Sequence, residues 1–140
     1  ATAAGEATAA GEATAAGEAT AAGEATAAGS TTAPAWPDLG AAVGRAVVEG
    51  VADVGIVMCW TGTGTAIAAN KVPGVRAALA WDPWIARGAR LWNDANVLAM
   101  SLKRLAPDVA VEVTEAFLAV DTPDPDEAEN IAALDRLLPP

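Results

Sequence analysis

From Leu39 onward, short continuous apolar runs alternate with stretches in which apolar residues recur every three or four positions. Val51–Trp60, Val75–Trp81 and Asn96–Leu102 are the continuous runs, the pattern of strands buried on both faces. The spacing between them is helical. Leu39–Glu49 precedes the first strand, with Asp38 as its expected cap and Gly50 as its stop. Thr65–Lys71 begins a helix ahead of a Pro73-Gly74 turn. Asp82-Pro83 reads as a cap followed by proline at the first helical position, which predicts a helix from Pro83 to Trp92. Pro107–Val120 sets Val109, Val113, Ala116, Phe117 and Val120 along one side of another helix. Asp121–Pro125 is a polar connector, and Asp126–Leu138 reads as a last helix whose acidic first turn suits the helix dipole. Strands alternating with helices predict βαβ units, hence an α/β fold with a parallel sheet. Ligands of such sheets bind beyond the carboxyl ends of the strands, where Cys59, Trp81 with Asp82, and Ser101 fall.

The first 29 residues break this pattern. They are four copies of ATAAGE and a truncated fifth. A period of six advances about 600° around a helix, so no fixed face forms. Each glycine costs a helix about 1 kcal/mol. Residues 1–29 therefore read as a low-complexity segment and residues 30–140 as one α/β domain. Three strands make a thin sheet, so residues 1–29 are expected to stand in the place of a first strand–helix unit.

Composition removes several function classes. The net charge is −10, with 18 acidic residues against 8 lysines and arginines, which argues against nucleic acid or an anionic membrane as partner. There is no histidine and one cysteine, so a zinc site of the usual kinds cannot be assembled. No bilayer-length apolar run or basic signal region is present, and the lone cysteine forms no internal disulfide. A cytoplasmic setting is the expectation.

The chemistry concentrates in Ile56-Val57-Met58-Cys59-Trp60-Thr61-Gly62-Thr63-Gly64-Thr65. A strand delivers a thiol to a glycine- and threonine-rich turn that opens a helix. Backbone N–H groups and the helix dipole converge there on negative charge, and they lower a thiol's pKa. A buried thiol serving only as a small hydrophobe is the competing reading.

The stretch GIVMCWTGTGTAIAANKVPGVRAALAWDPWIARGARLWNDANVLAMSL resembles the ribose-5-phosphate isomerase B / galactose-6-phosphate isomerase family. That family's pattern is an apolar strand, CGTG-G, IAANK-PGIRAA, and a helix ending in HNDANVLA. The resemblance runs from about Trp36 to Val120, with Trp36-Pro37-Asp38 similar to the family's Tyr-Pro-Asp. It implies a Rossmann-like three-layer αβα sandwich with a parallel sheet, and a homodimer that shares its active sites across the interface. It also implies a small-molecule substrate, neither metal nor cofactor, and aldose–ketose isomerisation through an enediolate. On this resemblance Cys59 is the base that moves a proton between C1 and C2, with Thr61 beside it as a catalytic residue. Gly62, Thr63, Gly64 and Thr65 form the oxyanion and substrate-binding loop, and Asn93 contacts the substrate.

The chain also departs from the family. Trp92 stands in place of the histidine that helps open the sugar ring, and indole cannot act as a base. Asp121–Asn130 carries five acids and no arginine where a phosphate-binding arginine motif is expected. The first strand with its Asp-His pair is absent. Trp60 replaces a small residue inside the anion loop. Trp60, Trp92 and Trp81 are therefore expected to line an aromatic pocket, with Trp84 a core or interface anchor. Arg76 is expected to be structural, and Arg87 and Arg90 to share a solvated helix face. Three versions of function remain open: an isomerase with a less anionic or open-chain substrate, an isomerase or cyclase of specialised metabolism, and an inactive binding or partner subunit.

Overall fold

The computed structural model describes residues 13–16 and 34–137. These form β1 (Ala13–Ala16), α1 (Trp36–Val48), β2 (Val54–Cys59), α2 (Thr63–Ala69), β3 (Ala77–Leu79), α3 (Pro83–Asn93), β4 (Val97–Ser101), α4 (Pro107–Leu118), a 3-10 turn (Pro125–Glu127) and α5 (Ala128–Asp135). The sheet order is β1-β2-β4-β3. β2, β4 and β3 are parallel, as expected of βαβ units. Part of the repeat widens the sheet: β1 pairs with β2, in the antiparallel sense, from Ala13 opposite Val57 to Ala16 opposite Val54. The helix expected within residues 1–29 lies outside the described residues.

Alternation along the strands builds two cores. Ile56, Met58, Leu98 and Met100 face α3 and α4, where they meet Ala86, Ala89, Val113 and Phe117. Val57, Val97 and Ala99 face the other way and meet Leu39, Val43, Ala66 and Ala69 of α1 and α2. The result is a Rossmann-like αβα sandwich. α1 approaches α2 closely because position 40 has no side chain. A Cβ on Gly40 would lie 2.6 Å from the Thr65 carbonyl oxygen.

Helix ends follow local chemistry, which in places departs from expectation: α1 begins at Trp36 and α2 at Thr63, each ahead of the expected Leu39 and Thr65. Asp82 caps α3 by accepting from the Ile85 N–H at 2.9 Å, and Pro83 follows, as expected. Asp38, by contrast, is not a cap: Ala35 precedes the helix, and Asp38 lies in its first turn, where its charge meets the positive end of the dipole. The last helix starts later than expected, because Asp124 accepts from the Asp126 N–H and turns Pro125–Glu127 into a 3-10 turn. Arg90 does not share a solvated face with Arg87. Its guanidinium donates to the Val120 and Ala95 carbonyls at 2.8–3.2 Å and stacks over Phe117.

At the amino edge of the sheet, polar residues join the loops. Arg76 donates to the Asp94 carbonyl at 2.8 Å and pairs with its carboxylate at 2.6 Å. The Asn96 side chain accepts from the Arg76 N–H and donates to the Gly74 carbonyl. Asn70 donates to the Ala77 carbonyl and accepts from the Ala77 N–H, both at 2.8 Å, on the free edge of β3.

Replacing Arg90 by methionine orphans two carbonyls and is expected to cost about 3 kcal/mol in urea unfolding. Arg87→Met on the same helix should stay within about 0.5 kcal/mol. Equal losses would remove the structural role assigned to Arg90.

Candidate active site

Cys59 ends β2 at the carboxyl edge of the sheet, opposite Ser101 at the end of β4. The two following turns are bonded together. Leu102 N–H donates to the Cys59 carbonyl at 2.9 Å, and the Ser101 hydroxyl to the Trp60 carbonyl at 2.9 Å. Lys103 N–H reaches the same Trp60 carbonyl, and the Lys103 ammonium lies over the Trp60 indole, 5.0 Å from its centroid. Backbone and side chain thus both hold Trp60 against the β4–α4 turn.

The chain reverses at Gly62, which has φ of +80°. A Cβ there would meet Leu79 at 2.5 Å and the Met100 carbonyl carbon at 2.8 Å, so the turn needs glycine for both conformation and space. This reversal aims donors at the thiol. Gly62 N–H lies 3.2 Å from Cys59 Sγ, and the Thr65 hydroxyl 3.4 Å. Burial raises the thiol pKa. Hydrogen bonds from the Thr65 hydroxyl, and from the backbone at Thr65, Gly62 and Thr61, outweigh it and hold Cys59 below its ordinary value. Cys59 is only partly buried, so the thiolate is both favoured and reachable.

The remaining loop residues divide by exposure. Thr61 and Thr63 share a hydrogen bond between their hydroxyls at 2.7 Å on the exposed side. Thr65 is fully buried, and its hydroxyl reaches only Cys59 and the Gly62 carbonyl. Gly64 lies under the ring of Trp36, at the start of α1. Trp36 and Lys103 belong to this edge although the sequence reading did not place them in the site. The signal for both was topological: α1 must begin, and the β4–α4 turn must lie, at the edge where β2 ends.

Trp92 and Asn93 are elsewhere in a single chain. α3 runs back from the carboxyl edge, so its last turn reaches the amino edge, about a strand's length from Cys59. Trp92 folds back over Gly88 and meets Trp84 edge-to-face at 5.5 Å, with both rings exposed on α3. Trp60, Trp81 and Trp92 thus do not line one pocket within one chain. Trp60 and Trp81 are exposed at the carboxyl edge, and Trp84 with Trp92 form a separate surface pair. Asn93 borders a cleft of about 350 Å³ with Asn70, Arg76, Ala77, Leu134 and Asp135. Asn70 and Arg76 are already bonded to neighbours, and the one carboxylate of the lining, Asp135, lies 3.6 Å from the Arg76 guanidinium.

No group of three or more acidic or thiol side chains among the described residues could hold a metal ion. No described helix is long and apolar enough to cross a membrane.

Known proteins share this fold. The solved structure of ribose-5-phosphate isomerase B from Clostridium thermocellum superimposes with a TM-score of 0.72 at 36% identity, covering 78% of this chain and 74% of that one. D-erythrulose-4-phosphate isomerase of Pectobacterium atrosepticum is 39% identical over 85 residues, 61% of this chain and 56% of the relative. Galactose-6-phosphate isomerase subunit LacB of Clostridium acetobutylicum is 36% identical over 104 residues, 74% of this chain and 60% of the relative. The chain spans less than two thirds of the length of these two curated relatives. Residues 12–134, from within the repeat to the end of α5, match the ribose/galactose isomerase family, and the chain belongs to that family.

Proposed function

We propose that this protein is a cofactor-free aldose–ketose isomerase acting on an open-chain sugar phosphate, with Cys59 as its base. The observation that carries this is the partly exposed thiol, held toward thiolate by the Gly62 N–H and the Thr65 hydroxyl, in a chain of the ribose/galactose isomerase family. The thiolate removes the proton from the hydroxyl-bearing carbon next to the carbonyl. Sulfur holds that proton while the substrate is an enediolate, then returns it to the former carbonyl carbon. The exposed Thr61–Thr63 hydroxyl pair is suited to passing the second proton between the two substrate oxygens. The N–H groups of Thr63 and Gly64, at the open end of α2, are suited to meet the developing negative charge.

The substrate reading follows from the same edge. Lys103, positioned by Trp60, brings a cation to the site of a chain with net charge −10, and it suits the phosphate end of a substrate. The 140 residues contain no histidine for ring opening. A four-carbon sugar phosphorylated on its terminal hydroxyl has no free oxygen with which to close a five-membered ring, so it needs none. The 39% identity to an isomerase of erythrulose 4-phosphate supports this size class.

Asn93 can join this chemistry only if a second copy brings it to Cys59. The separation of the two within one chain supports a homodimer with shared sites. Mixing Cys59→Ala with Asn93→Ala under subunit exchange is then expected to restore activity, to about a quarter of wild type, because half of the dimers carry one intact site. No recovery in mixtures shown to contain hybrids would eliminate the shared site.

Activity is tested by deuterium uptake from D₂O into four-carbon, five-carbon and six-carbon aldose and ketose phosphates. The four-carbon pair should exchange fastest, and Cys59→Ala should slow exchange by about a hundredfold or more. Exchange absent from every pair, or unchanged in Cys59→Ala, would remove the assignment. The base must be deprotonated, so kcat/KM should rise with pH through the Cys59 pKa, and that limb should lie below the ordinary thiol range.

A further inference from the structure

Thr65 holds one hydroxyl proton between two acceptors. Its oxygen lies 3.4 Å from Cys59 Sγ and 3.2 Å from the Gly62 carbonyl oxygen. The residue is fully buried, so the hydroxyl meets neither solvent nor a substrate in the open part of the site. Its backbone has little freedom to withdraw, because α1 lies against it at Gly40. The Gly62 carbonyl also accepts from the Ala66 N–H at 3.2 Å, so it keeps a partner if the hydroxyl turns away.

We propose that Thr65 is a positioning residue whose hydroxyl sets the basicity of Cys59, donating to the sulfur when it is a thiolate and to the Gly62 carbonyl when the sulfur carries a proton. The proton balance is simple. The proton taken from substrate carbon stays on sulfur, and the S–H can then donate to the Thr65 oxygen. Thr65 keeps its own hydrogen throughout and only rotates it. The thiolate is thereby stabilised by a donor that gives way when proton transfer occurs. A fixed N–H, such as that of Gly62, cannot turn away in this manner. The hydroxyl of Thr65 thus acts on the sulfur rather than on the substrate oxygen, and the exposed pair of Thr61 and Thr63 is left to face the substrate.

This inference rests on reading Cys59 as the base, but its first readout needs no substrate. It therefore fails or survives independently of isomerase activity. Cys59 is the only cysteine in the chain, so iodoacetamide alkylation reports on it alone. In the 140-residue protein, the alkylation rate against pH should inflect below the ordinary thiol range. Thr65→Val keeps the side chain's shape and removes the donor. Its inflection should move upward, lowering the rate at neutral pH by about threefold to tenfold, since one pKa unit is a tenfold change in thiolate fraction. Thr65→Ser restores the hydroxyl and should return the profile to within about twofold of wild type at neutral pH. Should the valine variant not fold, Thr65→Ala carries the same expectation. A wild-type inflection at the ordinary thiol value would overturn the proposal. So would a wild-type profile in the valine or alanine variant, or a serine variant that follows valine. With an active substrate in hand, Thr65→Val should lower kcat with KM nearly unchanged, the signature of a group acting through the base.

Discussion

Gly55 to Cys59 of β2 lie beside Val97 to Ser101 of β4 in parallel register, and the site depends on that pairing. Side chains alternate along a strand, so a slip of one residue would turn either Val57 or Ala99 toward the wrong core. It would also separate the Cys59 and Trp60 carbonyls from the Leu102 N–H and Ser101 hydroxyl that now join the two turns. The apolar cores on either face thus fix a polar arrangement at the strand ends. Because the two faces carry different helices, each core holds the register independently.

Given that register, the Cys59 turn is governed by charge and space. Burial opposes a thiolate, and short-range donors reverse the outcome. The donors are in place because Gly62 takes a left-handed conformation in a gap that Leu79 and the Met100 carbonyl leave too narrow for any Cβ. α1 closes the other side, with Trp36 over Gly64 and Gly40 against Thr65. The surroundings of the Cys59 thiol are thus held by the packing of the strands and helices on either side.

Much of this was legible in the chain. The apolar runs located β2, β3 and β4, and Asp82-Pro83 located the start of α3, because strand burial and helix capping are local and periodic. The strand–thiol–glycine sequence located the turn in which Cys59 meets its donors for the same reason. Three things were not local. Trp92 and Asn93 were expected beside the Cys59 turn from the family resemblance, yet the direction of α3 sends them to the opposite edge of the same chain. Arg90 looked solvated by its spacing from Arg87, but its partners, Ala95 and Val120, are set by the chain's return after α3 and α4. Lys103 had no motif to mark it until the β4–α4 turn was seen against Trp60. The antiparallel strand from an alanine-rich repeat was foreseen as a strand but not in its direction, since nothing in ATAAGE encodes a face.

Asn70 has an effect beyond the loop it belongs to. Its carboxamide presents one donor and one acceptor to Ala77, the same pair that a neighbouring peptide group would offer. An open strand edge is a template on which another chain can add, and here a single side chain occupies the first rung. Among the described residues the sheet therefore ends on its β3 side at the Asn70 carboxamide. A short, alanine-rich edge strand has the outward peptide groups of Ala77 occupied by one residue whose chemistry imitates the backbone it excludes.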